Sequence, residues 1–279
     1  MNATVIDHQL IAKLFRPRQR NAHKGHHGHA LLIAGSAQKT GAAIIAATAC
    51  LRSGAGLLTV RIAMSQGQHI ICRLPETMIQ DRGKELDLKA FAALGIGPGL
   101  GTDDEAISLV TKVISIAKIP LVVDADALNI LATEPARLSA LPSNTILTPH
   151  EGEFDRLFGE HLSRVHRMET AIQVARQYQV VIVLKGPETL IITPLQCFRN
   201  ICGNAGLAKG GSGDALTGII TALLAQGYGA SDAAVLAVYL HGRAADMTLQ
   251  HQSVESMLIT DVINNLGVVF KEIQAFAGL

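Results

Sequence analysis

Residues 29–62 read HALLIAGSAQKTGAAIIAATACLRSGAGLLTVRI and contain one strand–helix–strand unit. The apolar run 29–35 ends in glycine and predicts a buried strand, and residues 57–62 predict a second one. Between them, residues 41–53 have the small side chains and the length of a closely packed helix. Two strands joined by such a helix run parallel to each other. This stretch therefore predicts an α/β fold.

The same alternation continues along most of the chain. Further strands are predicted at 91–97, 120–124, 144–147 and 180–184, and helices at 103–117, 162–178, 212–226, 230–250 and 257–276. Two short segments, 188–192 and 195–201, are interpreted as antiparallel strands at an edge of the sheet. We predict a three-layer α/β fold in which helices cover both faces of a mostly parallel central sheet.

No internal repeat and no change of composition marks a linker, so residues 23–279 are predicted to form a single domain. Residues 1–22 are predicted to be an N-terminal extension. Its apolar side chains are expected to form a short helix that packs on the domain or on a neighbouring subunit: Val5, Ile6, Leu10, Leu14 and Phe15.

Composition and charge exclude several classes of protein. Only 17% of the 279 residues are charged and the mean hydropathy is +0.29, which excludes a disordered chain. The 24 Lys and Arg residues balance 23 Asp and Glu, and aromatic residues make up 4% with no Trp, so no nucleic-acid partner is expected. No stretch of about 20 apolar residues predicts a membrane span.

The cellular location is inferred from the chain start and the cysteines. The first ten residues, MNATVIDHQL, lack the basic and apolar regions of a signal peptide. The four cysteines are too scattered for a disulfide framework and form no CxxC pair for zinc. We therefore expect a cytoplasmic protein with no membrane partner.

The loop with the strongest chemical signal is NAGLAKGGSGD, residues 204–214, which leads into a predicted helix. Its glycines allow a sharp turn and a close approach to a ligand, and the free amides and dipole of the helix N-terminus attract an anion. Asp214 lies in the first turn of that helix, in a position to accept a proton during phosphoryl transfer. The alternative is that Ser212 or Asp214 only caps the helix.

Other loops follow predicted strands, where ligands bind in parallel sheets. The GIGPGLG segment at 95–101 indicates either a ligand lying over the backbone or a tight strand-to-helix connection. After the strand 180–184, Lys185 is interpreted as a phosphate contact, the alternative being an exposed hairpin turn. The acidic pair Asp124 and Asp126 is consistent with Mg²⁺ binding, with capping, or with a hydrogen bond to a substrate hydroxyl.

Two histidine-containing segments are interpreted separately. The run Thr148-Pro149-His150-Glu151 predicts a helix start with Thr148 as N-cap and Glu151 at the third position. This leaves His150 pointing towards the ligand edge of the sheet. The histidine-rich loop at 23–29 is interpreted as a polar loop rather than a metal site, and no metal ligand is assigned.

Together, these loops resemble those of one known family. The segments HKGHHGHALLIAGS, GIGPGLG, DADALNIL, LTPHEGEF, LKGPET and NAGLAKGGSGDALTGII occur in this order along the chain. The chain is similar in this respect to the ADP/ATP-dependent NAD(P)H-hydrate dehydratases, which are repair enzymes with a ribokinase-like fold. The resemblance covers about residues 23–246, and the combination of TPHxGE, KGxxT and GxGD makes it specific.

The resemblance implies a reaction and a set of site residues. Asp214 is then the base that accepts a hydroxyl proton while ADP, or ATP in eukaryotes, phosphorylates the S-epimer of hydrated NAD(P)H; phosphate leaves and NAD(P)H is restored. The residues implied to contact this substrate are Ala42, Gly99, Gly101, Asp126, Asn129, His150 and Asp214. Those implied to contact the nucleotide are Lys185, Gly186, Pro187, Glu188, Thr189, Gly211, Ser212 and Gly213.

The resemblance also implies ligands and an assembly. The implied cofactor is Mg²⁺, and ADP is favoured over ATP as the co-substrate. The implied partners are the hydrated cofactors NADHX and NADPHX and the nucleotide, and the implied assembly is a homo-oligomer, a tetramer in family members. Because only about 22 residues precede the first motif, we expect no N-terminal epimerase domain.

Two other functions fit the same motifs. The first is a ribokinase-like kinase for a small alcohol such as a thiamin precursor or a sugar, which would release a phosphorylated product. The second is a nucleotide-binding sensor without catalysis. The presence of Asp214 beside the glycine loop argues against the sensor, because a sensor does not need a base.

Overall fold

Alternating strands and helices place one large sheet at the centre of the protein. The structure is a computed structural model that describes residues 3–278. Within these residues the strands are β1 Thr4–Val5, β2 His29–Ile33, β3 Leu57–Ile62, β4 Thr77–Asp81, β5 Ala93–Ile96, β6 Leu121–Val123, β7 Ile146–Leu147, β8 Val181–Leu184, β9 Leu190–Ile192 and β10 Cys197–Arg199. The α-helices are α1 His8–Leu14, α2 Thr40–Arg52, α3 Met64–Arg73, α4 Asp104–Ile116, α5 Ala125–Thr133, α6 Glu151–Phe158, α7 Arg164–Tyr178, α8 Ser212–Ala225, α9 Ala230–Thr248 and α10 Ile259–Phe276.

The strand order is β1-β10-β9-β8-β7-β6-β5-β2-β3-β4. Neighbouring strands are parallel except for the pairs β8–β9 and β9–β10, which are antiparallel. This confirms the predicted, mostly parallel sheet and the antiparallel pairing of β9 with β10. The expected position of that pair at the edge of the sheet is wrong, because β1 pairs in parallel with β10 and forms the edge itself.

Both faces of the sheet are covered by helices, as predicted. Along β2, Ala30 and Leu32 belong to a core shared with α2, α8, α9 and α10. The alternate residues Leu31 and Ile33 belong to a second core shared with α4, α5, α6 and α7. Successive side chains of a strand point to opposite faces, so the two cores lie on the two sides of the sheet.

The adjacent elements α3 and β4 have no counterpart among the predicted elements. In α3 only Gly67 and Ile70 are buried, and in β4 only Thr77 is. This follows from the position of β4 at the other edge of the sheet, where one side of the strand faces solvent. An element that buries so few side chains leaves no apolar run in the sequence.

The N-terminal extension is more closely integrated than a single helix would be. Leu10 lies in α1, as expected, but Val5 lies in β1, and Ile6 connects the two. The side chains of Ile6 and Ile11 are 1% and 0% exposed and belong to the core on the α8 side of the sheet. The domain boundary at residue 23 stays a prediction.

The described residues also bear on two expectations from composition. No helix among them combines the length and the apolar character that crossing a bilayer requires. Cys50, Cys72, Cys197 and Cys202 are free thiols.

The parallel strands bring the candidate motifs to one edge of the sheet. Strands β5, β6, β7 and β8 are consecutive neighbours, and their carboxyl ends lead into the loops at 97–101, 124–126, 148–151 and 185–189. Helix α8 packs across β5 and β6. The site is therefore assembled at the middle of the sheet, at the edge where ligands bind in α/β folds.

Candidate active site

A cavity of about 880 Å³ opens beside the loop that follows β8. Its lining includes Lys185, Gly186, Pro187 and Thr189, four of the five residues of the predicted nucleotide loop. The carboxylate of Glu188 instead pairs with the Arg199 guanidinium at 3.1 Å. The same cavity is lined by the glycine loop before α8, through Gly210, Ser212 and Gly213.

Lys185 directs its ammonium group towards the start of α8. Its Nζ donates to Asp124 Oδ1 at 2.9 Å and lies 3.7 Å from Glu153 Oε2. A Cβ added at Gly213 would lie 3.1 Å from this Nζ. Burial alone would lower the pKa of Lys185, but the charges of Asp124 and Glu153 outweigh it and raise the pKa. Lys185 is thus a cation held in place by its partners. Its side chain is only 20% exposed, so the alternative that it belongs to an exposed hairpin turn is wrong for the side chain.

The start of α8 carries no side-chain cap. Its N-cap is Gly211, with φ +94°, where a Cβ would meet Ile45 Cδ1 at 2.6 Å. The interpretation of Ser212 or Asp214 as the N-cap is therefore wrong. The first amides of a helix have no acceptor within the helix; that of Ser212 donates to the Lys209 carbonyl oxygen at 3.3 Å, and those that follow it, with the Lys185 ammonium, have the chemistry of an anion site.

Asp214 lies in the first turn of α8 between two groups of charges. Burial, followed by the negative charge of Asp124, raises the pKa of Asp214 to about 6. The cations Lys185 and Lys39 and the carboxylate of Asp126 also act on it. Among the described residues that line the cavity, Ser212 and Gly213 are present and Asp214 is not. The charges that act on it come from Lys185, which lines the cavity, and from Lys39 and Asp126 in a second group of residues.

This second group contains most of the residues predicted to contact a substrate. Asp126 Oδ2 accepts from the Gly101 amide at 2.9 Å and from Lys39 Nζ at 3.0 Å. A Cβ added at Gly99 would lie 2.8 Å from the Cβ of Ala42. The fold thus brings Ala42, Gly99, Gly101 and Asp126 together, and adds Lys39, which the sequence did not single out.

Packing within the protein explains most of the alternating glycines at 95–101, because other atoms of the chain leave no room for a side chain. A Cβ at Gly95 would collide with the Thr221 hydroxyl, and one at Gly97, where φ is +127°, would collide with the carbonyl oxygen of Asp124. A Cβ at Gly99 would crowd Ala42. The protein's own atoms thus account for Gly95 and Gly97 as a tight strand-to-helix connection, while the predicted contact of Gly99 and Gly101 with a substrate stays a prediction.

His150 caps the start of α6, a role that was predicted for Thr148 and Glu151. Its Nδ1 accepts from the amides of Gly152 and Glu153, and Glu153 Oε2 accepts from the His150 amide, which forms a capping box at the start of α6. The predicted caps, Thr148 and Glu151, are wrong, because the Thr148 hydroxyl donates to Asp124 instead. An Nδ1 that accepts leaves the proton on Nε2, which lies 3.5 Å from Glu153 Oε1. The half-exposed residue also lines the cavity.

Asn129 lies one turn after Asp126 on α5. Its side-chain oxygen accepts from Arg156 Nε at 3.0 Å, on the adjacent helix α6. Its predicted contact with a substrate stays a prediction.

Asp124 is a central residue that the predicted site set does not include. It is 1% exposed, and its oxygens accept from Thr148 at 2.7 Å, Lys185 at 2.9 Å and Thr217 at 2.8 Å. Burial would raise the pKa of Asp124, but the Lys185 charge and these hydrogen bonds hold it below its ordinary value. The only signal in the sequence is an acidic residue at the end of a buried strand.

The far side of the cavity also contains residues without a sequence motif. Asn200, at the end of β10, and His241, within α9, both line the cavity and are both buried. Burial, with a smaller effect of the Lys185 charge, lowers the pKa of His241 to about 4, so the imidazole is neutral. Nothing in the sequence around a histidine inside a helix distinguishes it from a core residue.

The histidine-rich loop has its own local contacts. His23 Nδ1 accepts from the Gly25 amide at 3.1 Å, and the His23 and His26 rings lie 3.7 Å apart. Across residues 3–278, His, Cys, Asp and Glu side chains form no group of three that could hold a metal ion. These contacts support the interpretation as a polar loop.

Comparison with known proteins identifies the family of this chain and several relatives. A family model described as NAD(P)H-hydrate dehydratase matches residues 30–267. The ADP-dependent (S)-NAD(P)H-hydrate dehydratase of Bacillus subtilis is 36% identical over 282 residues, which cover 98% of this chain and all of that one. The bifunctional NAD(P)H-hydrate repair enzyme Nnr of Moorella thermoacetica is 38% identical over 274 residues, which cover 92% of this chain and 52% of that one. The chain thus spans about half the length of this bifunctional relative.

A solved structure extends the similarity to three dimensions. The crystal structure of the ADP/ATP-dependent NAD(P)H-hydrate dehydratase from Bacillus subtilis, co-crystallized with ATP/Mg²⁺, superposes with a TM-score of 0.87 at 33% identity. The match covers 98% of this chain and 99% of that one. It confirms the ribokinase-like architecture that the motifs implied. Since the family model matches most of the chain and the fold agrees throughout, the chain belongs to the NAD(P)H-hydrate dehydratase family.

Proposed function

We propose that this chain uses ADP to dehydrate the S-epimer of hydrated NAD(P)H and so restores the reduced cofactor. The observation that carries the proposal is the position of Asp214. Asp214 follows Gly213, where an added Cβ would lie 3.1 Å from Lys185 Nζ, and the charges of Lys185 and of Lys39 and Asp126 all act on its carboxyl group. A base between a phosphate site and a second binding site suits phosphoryl transfer to a hydroxyl group.

The proposed nucleotide site is the 880 Å³ cavity. The diphosphate would lie against the Lys185 ammonium and the Gly213 amide, which offer a positive charge and a hydrogen-bond donor, with the Ser212 amide bound to the Lys209 carbonyl oxygen. Gly186, Pro187 and Thr189 would form the wall beside it, with Glu188 and Gly211 supporting the two loops from behind. The Bacillus subtilis relative whose name states ADP dependence supports ADP as the co-substrate.

The proposed substrate site is the second cluster. The hydrated nicotinamide ring would lie against Ala42, Gly99 and Gly101, with its hydroxyl towards Asp214. Asp126 is held by Lys39 and Gly101, and it would accept a hydrogen bond from the substrate. The Nε2–H group of His150 would donate one from the cavity wall. Asn129 would need to leave Arg156 to take part.

The proposed chemistry has two stages. First, Asp214 accepts the ring hydroxyl proton while the hydroxyl oxygen attacks the terminal phosphorus of ADP, which releases AMP. Then the lone pair of the ring nitrogen expels phosphate, and loss of a ring proton restores the double bond. The products are NAD(P)H, AMP and phosphate, so atoms and charges balance. Most of the rate enhancement would come from positioning and from charge stabilisation of the phosphoryl group.

Mg²⁺ is proposed to enter with the nucleotide. Bound Mg²⁺ would neutralise phosphate charge, and it often binds through phosphate oxygens and water rather than through a protein cage. That mode suits this site, since the Asp124 carboxylate is already occupied by three donors. We assign no protein ligand to it.

The test is a repair assay with the purified chain. Hydrated NADH is mixed with Mg²⁺ and either ADP or ATP, and the absorbance of reduced nicotinamide is followed. We expect recovery with ADP; a lack of recovery with both nucleotides would reject the proposal. Release of a phosphorylated alcohol from thiamin precursors or sugars, without cofactor recovery, would favour the kinase alternative.

The proposed assembly and location need separate measurements. We propose a homo-oligomer, with a tetramer as the expected form, acting in the cytoplasm on both NADHX and NADPHX. Met64 and Ile71 of α3 and Met78 of β4 are exposed apolar side chains on the elements at one edge of the sheet, which supports subunit contacts there. Light scattering and cell fractionation test these two points.

A further inference from the structure

We propose that Asp124 is a positioning residue of the reaction: it holds the Lys185 ammonium against the first turn of α8 and places a fixed negative charge behind Asp214. The inference rests on the proposed function for its catalytic part. Its nucleotide-binding part depends only on Lys185 and the anion site.

The contacts of Asp124 converge from three separate elements. Thr148 follows β7, Lys185 follows β8, and Thr217 lies in the second turn of α8; all three donate to the one carboxylate. A buried carboxylate is costly to desolvate unless such partners compensate for it. A Cβ at Gly213, the residue before Asp214, would lie 3.1 Å from Lys185 Nζ and 3.5 Å from Asp124 Oδ2, so the ion pair lies directly beside the first turn of α8. Lys185 also lines the cavity.

The Asp124 carboxylate does not cap helix α5, although Asp124 is the N-cap residue of that helix. Asp124 is the N-cap residue of α5, where an aspartate normally accepts from the helix amides. It makes no such side-chain cap here. Its acceptor capacity is directed to Lys185 and the two threonines instead, which indicates a role beyond starting a helix.

The backbone around Asp124 is fixed from both sides. The next residue, Ala125, has φ +47°, a left-handed conformation that is rare for a residue other than glycine. The Asp124 carbonyl oxygen packs against Gly97 so closely that no Cβ fits there. Unusual conformations of this kind persist where the surrounding structure imposes them, and they concentrate at functional sites.

The charge of Asp124 acts on Asp214 as well. After burial, it is the main influence that raises the pKa of Asp214, while Lys185 and Lys39 oppose it and Asp126 adds to it. From α6, Glu153 faces Lys185, and from α9, His241 is neutral at physiological pH. Asp124 itself stays ionised because its pKa lies below the ordinary value. A fixed anion behind the base therefore makes the base a stronger proton acceptor.

The first variant is Asp124→Asn, which keeps the shape and removes the charge. We expect the Kd for ADP, measured by calorimetry without the second substrate, to rise at least tenfold. We also expect the acid limb of the kcat–pH profile to move down by about one unit, because the base loses its neighbouring anion. A purely structural role would lower the melting temperature and leave both values unchanged, which would overturn the inference.

A matched pair of threonine variants covers the case in which Asp124→Asn does not fold. Thr217 and Thr221 are both fully buried on α8, one turn apart, but the Thr217 hydroxyl donates to Asp124 and the Thr221 hydroxyl only to the helix backbone. We expect Thr217→Val to raise the Kd for ADP three- to tenfold and Thr221→Val to leave it within twofold. Equal effects of the two substitutions would overturn the inference.

The experiment also separates this inference from the proposed function. If the wild-type chain binds ADP but does not restore NAD(P)H, the proposed function fails, while the comparison of Thr217→Val with Thr221→Val still decides the positioning of Lys185. If cofactor recovery is normal and the three variants bind ADP like the wild type, the inference about Asp124 fails and the proposed function stands.

Discussion

At the scale of single residues, the fold raises the pKa of the Asp214 carboxyl group. It is partly removed from water at the first turn of α8, and a second carboxylate, Asp124, lies close enough to disfavour another negative charge. Both effects favour the protonated form, and they outweigh the pull of Lys185 and Lys39. A base of this kind accepts a proton more readily than an aspartate in water does.

The first prediction concerns the pH dependence of the repair reaction. The pKa of Asp214 is raised to about 6, and only the ionised form accepts a proton. We expect kcat/KM to fall about tenfold for each pH unit below 6 and to level off above it. A pH–rate profile with an acid limb near 4, the range of an ordinary aspartate, would contradict this.

The second prediction concerns Asp214→Asn. Without a base, turnover should fall at least 10³-fold, while the Kd for ADP stays within about threefold, because the anion site is intact. The contribution of Asp214 to the stability of the wild type falls as pH rises from 3.8 to 6, since ionisation of the buried group is disfavoured. The variant should therefore be more stable by roughly 1–3 kcal/mol at pH 8 and about equally stable near pH 4.

Denaturant unfolding at the two pH values measures this difference. A stability gain that is the same at pH 4 and at pH 8 would mean that ionisation of Asp214 is not its cause. A variant with normal turnover would show that the base lies elsewhere in the site.

At the scale of elements, the start of α6 joins a structural contact to a site residue. His150 Nδ1 accepts from the Gly152 and Glu153 amides. The donor of the same ring, Nε2–H, lies 3.5 Å from Glu153 Oε1, and the residue lines the cavity. The backbone of His150 also lies beside that of Lys185 as a parallel bridge. The helix start thus fixes the direction of the donor, which a histidine on a free loop would not do.

The third prediction separates the two roles of His150. Asparagine is a good N-cap, so His150→Asn should keep the stability within about 0.5 kcal/mol, while His150→Ala should lose about 1 kcal/mol. Both variants lack the Nε2–H donor and should raise the KM for the hydrated cofactor about tenfold. Steady-state kinetics with thermal unfolding checks this; an unchanged KM in both variants would remove His150 from the substrate site.

The elements also show which parts of the site the sequence could predict. Loop 204–214 and Lys185 are recognisable because glycines before a helix and a lysine after a buried strand are local patterns. The capping role of His150 was missed because histidine is an uncommon N-cap and Thr148 and Glu151 offered a conventional one. The role of Asp124 depends on its contact with Lys185, 61 positions away in the sequence, and that of Lys39 on its contact with Asp126, 87 positions away. No local sequence pattern contains such contacts.

At the scale of the whole molecule, the N-terminal segment completes the fold. Strand β1 adds the outermost strand beside β10, and α1 packs on α10 and α9. The mostly parallel sheet and its helices follow from the alternation of buried strands and helices. The edges, β1 and β4, could not be predicted because edge strands are short or partly exposed and lack an apolar run.

The fourth prediction tests this integration. Ile11 is fully buried in the core on the α8 side of the sheet, so Ile11→Ala should lower the free energy of unfolding by about 2–4 kcal/mol. Leu162 is fully exposed, and Leu162→Ala should change it by less than about 0.5 kcal/mol. Urea unfolding checks both. A small effect of Ile11→Ala would show that residues 1–22 fold as a loosely attached extension.

The ion pair between Lys185 and Asp124 has a consequence for the thermodynamics of ligand association. A lysine that is free to rotate loses up to about 2 kcal/mol of side-chain entropy when a ligand orders it. In this protein that loss occurs during folding, because the Asp124 carboxylate holds the side chain in place. Nucleotide association should therefore carry a smaller entropic penalty than it would with a mobile lysine at the same position.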